Sequence, residues 1–145
     1  MRVYLDNCCF NRPFDDQTQL RIRLEAEAKL GIQDLIRAKM VELAWSYVLD
    51  FENEAVPFEQ RRLYVSQWKH YASLDTDETG AIVGKAEALI RIGLKSKDSL
   101  HLACAMALRY DYFLTTDDRL IKKAGGITEI KVTDPVTFIR KEFQP

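Results

Sequence analysis

Asp6, Glu52, Asp98 and Asp117 are far apart in the chain, yet each falls at or shortly after the end of a strand-like run or at the head of a helix-like one. Asp6 closes "RVYL" and Asp117 follows "YFLTT". "MVELAW" runs into Ser46, with Glu52 about two helical turns beyond it. Asp98 heads the strongly patterned "KSKDSLHLACAMALRY". Open parallel sheets build their sites at the carboxyl ends of strands, near the point where strand order reverses. Carboxylates gathered there would repel one another by roughly 4 kcal/mol at about 4 Å and an effective dielectric near 20, and one would be pushed towards protonation. An all-oxygen donor set suits Mg²⁺ or Mn²⁺. A cation held this way polarises a phosphoryl oxygen and makes hydroxide from bound water, which is the chemistry of phosphodiester hydrolysis.

Each acid also has a plainer reading. Asp6 could begin a turn, and Asp98 could cap its helix. Glu52 could be a solvated helix acid beside Asp50 and Glu54, and either Asp117 or Asp118 could cap the short helix after them. Four independent caps would not need to share one rim. The polar neighbours divide in the same way. Asn7, Ser46 and Thr116 could orient ligands or waters, or could serve turns and caps. Arg12, Lys95, Lys97 and Arg119 flank the acidic segments and could hold substrate phosphates, with a solvated surface as the alternative. His101, one turn after Asp98, reads as packing beside the crevice rather than as a general base. Trp45, Trp68 and Tyr71 read as core or partner contacts rather than base-stacking platforms.

The elements that must position these groups are set by periodicity. Strands are expected over Arg2–Leu5, Met40–Trp45, Tyr112–Thr116 and the "TEIKVT" segment. Helices are expected after Asp15, Asp16 and Thr18, with Gly31 weakening or breaking the run, and over Tyr47–Ala55 before Pro57. Glu59–Tyr71 should be helical with Leu63, Trp68 and Tyr71 buried, and Asp75, Thr76 and Asp77 should cap a helix ending near Gly93. A helix runs from about Asp98 to Tyr110, a short one stops at Gly125–Gly126, and a last one begins at Asp134–Pro135. This alternation predicts an α/β fold of three layers, α/β/α, with a mostly parallel sheet of four to five strands.

At 145 residues the chain is expected to form one domain over 1–145. Its net charge of −1 argues against holding nucleic acid by a broad basic surface, so any such contact must be local or metal-borne. No run approaches the roughly 18 apolar residues of a membrane span. No signal-peptide pattern opens the chain, so no membrane association and a cytoplasmic location are expected. Cys8, Cys9 and Cys104 lack zinc-ligand spacing and read as small apolar filler.

Taken in order, "VYLDNCCFNRP", "WSYVLDFE", "KSKDSLHLACA" and "YFLTTDDRL" resemble the four acidic motifs of a PIN domain. This is the nuclease fold of many bacterial and archaeal toxins of the VapC type. The resemblance spans nearly the whole chain and implies a sheet ordered 3-2-1-4-5. It also implies a Mg²⁺- or Mn²⁺-dependent endoribonuclease acting on RNA, a small antitoxin partner and a homodimer. On this resemblance Asp6, Asp98 and Asp117 would be inner metal ligands. Glu52 would bind directly, bind through water, or act on the attacking water, and Asp118 could share or replace the role of Asp117. The helices between Glu52 and Gly93 carry more apolar positions than solvent would suit and are the expected dimer or antitoxin surface.

Other classes of function compete with this one. A phosphatase of the haloacid-dehalogenase type wants a second Asp where Cys8 stands, and a receiver wants its acidic pair near the first strand. A non-catalytic PIN-fold interaction module would be favoured by loss of an acid from the quartet.

Overall fold

The strand β1 (Arg2–Leu5) buries Val3, Tyr4 and Leu5 completely, as a strand covered on both faces must. In the computed structural model, which describes residues 1–144, it is the central strand of a five-stranded, wholly parallel sheet. The other strands are β2 (Glu42–Ser46), β3 (Ala72–Thr76), β4 (Tyr112–Leu114) and β5 (Lys131–Thr133), in the order β3-β2-β1-β4-β5. The register sets Val3 opposite both Leu43 and Tyr112, and Leu5 opposite Leu114. Strand order therefore reverses at β1, the point beyond whose carboxyl end open parallel sheets place their sites.

Helices complete the three layers of this α/β fold. The short α1 (Asn7–Asn11) leaves β1 directly, and α2 (Leu20–Arg37) returns the chain to β2. Ser46 ends β2 and caps α3 (Tyr47–Glu54), accepting the Leu49 N–H at 3.3 Å. After α4 (Glu59–Trp68) come β3, α5 (Gly80–Arg91) and α6 (Ser96–Ala107), with α5 packed along α6. The chain finishes with β4, α7 (Asp118–Lys123), β5 and α8 (Pro135–Glu142), which lies against α2. Trp45, Phe10, Phe113, Leu102 and Phe138 fill the core with no exposed surface. No helix among the described residues is long and apolar enough to cross a membrane.

Several expectations are corrected. Gly31 does not interrupt α2, because seventeen flanking helical residues carry it and its missing side chain leaves no strain. Asp75 and Thr76 end a strand, Ala72–Thr76, rather than capping a helix with Asp77, and Thr79 caps α5 instead, accepting the Ile82 N–H at 3.2 Å. Leu63 and Tyr71 are exposed, whereas Trp68 is buried as expected.

Candidate active site

Asp6 stands where β1 ends. Its backbone N–H donates to the Leu114 carbonyl at 2.9 Å, which ties the ends of β1 and β4 together. Its carboxylate is nearly buried and caps α1. Oδ1 accepts the Asn7 N–H at 2.8 Å, and Oδ2 accepts the Thr115 hydroxyl at 2.9 Å and the Cys8 thiol at 3.5 Å. A carboxylate given that many donors is fixed in orientation before any ligand arrives.

Across the crevice, α6 presents His101, only 1% exposed. Its Nε2 is hydrogen-bonded to Glu52 Oε1 and lies 3.7 Å from Asp6 Oδ1. Its Nδ1 is 2.6 Å from the Tyr4 hydroxyl, which in turn is 2.6 Å from Ser46 Oγ. Three elements, β1, β2 and α3, thus converge on one imidazole. Burial opposes the imidazolium, but the Glu52 hydrogen bond and the charges of Asp6, Glu52 and Asp98 together raise the His101 pKa. Burial likewise opposes the Glu52 carboxylate, and His101 with Lys97 overcomes it, holding Glu52 below its ordinary value.

Asp98 sits half-buried in the first turn of α6. Its carboxyl is raised by burial first and then by the charges of Asp6 and Asp117, so all three feel one another. Asp117 caps α7, its Oδ1 accepting N–H groups from Arg119 at 2.9 Å and Leu120 at 3.2 Å. The crevice therefore concentrates negative charge on oxygen donors with one buried nitrogen among them. Lys95 and Lys97 offset this charge only partly. Such a set fits a hard divalent cation, which would relieve the repulsion that raises Asp98.

Neither a protein-family model nor a curated protein matches the chain. Solved structures do. FitAcB from Neisseria gonorrhoeae superposes with a TM-score of 0.58 at 14% identity, covering 92% of this chain and 97% of that one. VapBC2 from Rickettsia felis, solved bound to a DNA fragment from their promoter, superposes with a TM-score of 0.60 at 15% identity, covering 92% and 98%. The fold is PIN-like.

Within the PIN-like crevice the sequence-derived residues are sorted by geometry. Asp6, Glu52, Asp98 and Asp117 are coupled through their charges or through His101, and Asp6, Glu52 and His101 alone bring ligand atoms within 4.8 Å of one another among the described residues. Of the acids near Glu52, Asp50 is taken by the Trp45 indole and by Lys69, each at 2.9 Å. Asp118 is paired with Arg21 at 2.7 Å. Thr116 does not touch Asp6; its backbone N–H donates to Cys8 Sγ at 3.4 Å, and Thr115 orients the acid instead. Arg12 is not free for phosphates, since it bridges Asp15 at 3.2 Å and Glu25 at 3.1 Å. Lys95, Lys97 and Arg119 are exposed beside the acids. Asn7 reaches the site through its backbone N–H, while its Oδ1 is buried without a hydrogen-bond partner among the described residues.

Proposed function

We propose that the protein is a metal-dependent endoribonuclease that hydrolyses RNA phosphodiester bonds, acting as the toxin of a toxin–antitoxin pair. The observation that carries this reading is the meeting of Asp6, Glu52 and His101 at the switch point of a PIN-like sheet, with Asp98 in the first turn of α6 and Asp117 capping α7. Asp6, Asp98, Asp117 and Glu52 would hold Mg²⁺ or Mn²⁺. When bound, such an ion lowers the pKa of a bound water and stabilises charge on the phosphoryl oxygens.

The chain's own residues do the rest. Thr115 and the Asn7 N–H fix the Asp6 carboxylate, so that it does not reorganise on binding. His101 keeps Glu52 turned into the crevice and ionised near neutral pH. Lys95, Lys97 and Arg119 supply local positive charge for substrate phosphates at the exposed rim. Phe58, Ile90 and Ile92 are exposed on the stretch between Glu52 and Gly93, which supports an antitoxin or a second copy of the chain covering that face.

The purified protein should cut single-stranded RNA with Mg²⁺ or Mn²⁺ and fail to cut it in chelator. Asp6→Asn removes the charge but keeps a good helix N-cap, so the fold should survive while cleavage falls at least ~100-fold. Undiminished cleavage by this folded variant, or by the wild type in chelator, would defeat the reading.

A further inference from the structure

We propose that His101 is itself a ligand of the metal centre, so that Asp6, Glu52 and His101 together bind Mn²⁺ in preference to Mg²⁺. This rests on the metal-dependent reading above and deepens it. The imidazole is buried, and its Nε2 faces the carboxylates of Glu52 and Asp6. Its distance of 3.7 Å from Asp6 Oδ1 suits a shared ion. Two donors each about 2.0–2.2 Å from one cation lie at most about 4.4 Å apart.

The far side of the ring is arranged as metal-bound imidazoles require. Such a ligand usually donates its other N–H to a fixed acceptor, which sets the tautomer and the ring plane. Here Tyr4 Oη can accept Nδ1–H at 2.6 Å and give its own O–H to Ser46 Oγ, also at 2.6 Å. That arrangement leaves Nε2 as the ring atom facing Asp6 and Glu52, where a bound cation would take the place of the proton shared with Glu52. The Tyr4 ring is in turn stacked on Phe113 at 5.3 Å and meets His101 edge-on at 5.5 Å, so neither ring is free to swing. An imidazole nitrogen in an otherwise carboxylate set favours transition metals over Mg²⁺, which prefers oxygen and water throughout.

The test is pulsed electron paramagnetic resonance on the Mn²⁺-loaded full chain, read for nitrogen coupling and repeated with ¹⁵N-histidine. A directly bound imidazole nitrogen whose coupling changes with the label, and Mn²⁺ binding at least ~10-fold tighter than Mg²⁺ in competition calorimetry, are expected. His101→Gln should abolish the coupling and bring the two affinities together. If the loss of this buried ring unfolds the chain, the wild-type spectrum still decides. Tyr4→Phe adds a second check, with Mn²⁺ affinity expected to fall ~10- to 100-fold. Bound Mn²⁺ without histidine coupling would overturn ligation by His101 and leave an all-carboxylate centre standing. No binding of either ion would overturn both this proposal and the function it rests on.

Discussion

Single residues decide how firmly the crevice is built, and one residue outside it adds a pH dependence of its own to stability. Lys29 is fully buried on α2 without a carboxylate partner among the described residues, Glu25 one turn earlier being taken by Arg12 and Arg21. Its ammonium lies 3.3 Å from the Tyr64 hydroxyl and 4.8 Å from the centre of that ring, with Phe10 and Trp68 further out. Burial pulls its pKa from 10.5 down to about 7, with Cys9 opposing the fall and Arg37 adding to it. Between those two values the unfolded chain binds more protons than the folded one, so this group makes stability rise with pH from about 7 to about 10.5. Below pH 7 the charge is carried at full desolvation cost. Lys29→Met should flatten this slope and raise stability at pH 6 by on the order of 2–4 kcal/mol, the lost cation–π contacts subtracted. Urea midpoints of both proteins across pH 6–10 check it, and parallel curves would refute it. Asp6, Asp98 and Asp117 were legible in the sequence because each sits at a run's end, and Glu52 by its place two turns after Ser46. Thr115 was open to the same logic, standing two residues before Asp117 in "YFLTTDDRL". His101 was not, because a lone histidine on an apolar helix face looks alike whether it packs or binds.

At the scale of elements, what sequence pattern conveys is burial, and it fails where burial is absent. The central strands read clearly because β1 and β4 are continuous apolar runs with both faces covered. β3 was missed for the opposite reason. As an edge strand it leaves Ser73, Leu74 and Asp75 exposed, and no alternation marks it. Gly31 misled in another way, since its helix-breaking tendency is worth only about 0.5–1 kcal/mol and the packing of α2 against α8 exceeds it. That tendency can be removed. A Cβ added at Gly31 meets nothing within 4 Å, and the backbone there is helical. Gly31→Ala should therefore stabilise the fold by about 0.5–1 kcal/mol and raise the thermal midpoint by roughly 2–4 °C, with RNA cleavage unchanged. A lowered midpoint would mean that α2 needs its glycine.

For the whole molecule the question is how a chain of net charge −1 grips a polyanion. The acids of the crevice repel phosphate, Arg12 and Arg21 are occupied by Asp15, Glu25 and Asp118, and Lys95, Lys97 and Arg119 stand exposed beside the acids. A grip of this kind leaves a thermodynamic signature. Each phosphate neutralised on a single strand contributes about −0.7 to the slope of log affinity against log salt. Three contacts predict a slope of about −2, far shallower than that of a protein with a broad basic face. The measurement is fluorescence anisotropy of a short single-stranded RNA titrated with Asp98→Asn, so that binding is read without cleavage. Lys97→Ala should weaken binding to all sequences alike and make the slope shallower by about 0.7. An unchanged slope would remove Lys97 from the substrate path. A slope steeper than about −4 would place the RNA on a different and wider surface, beyond the rim that this crevice offers.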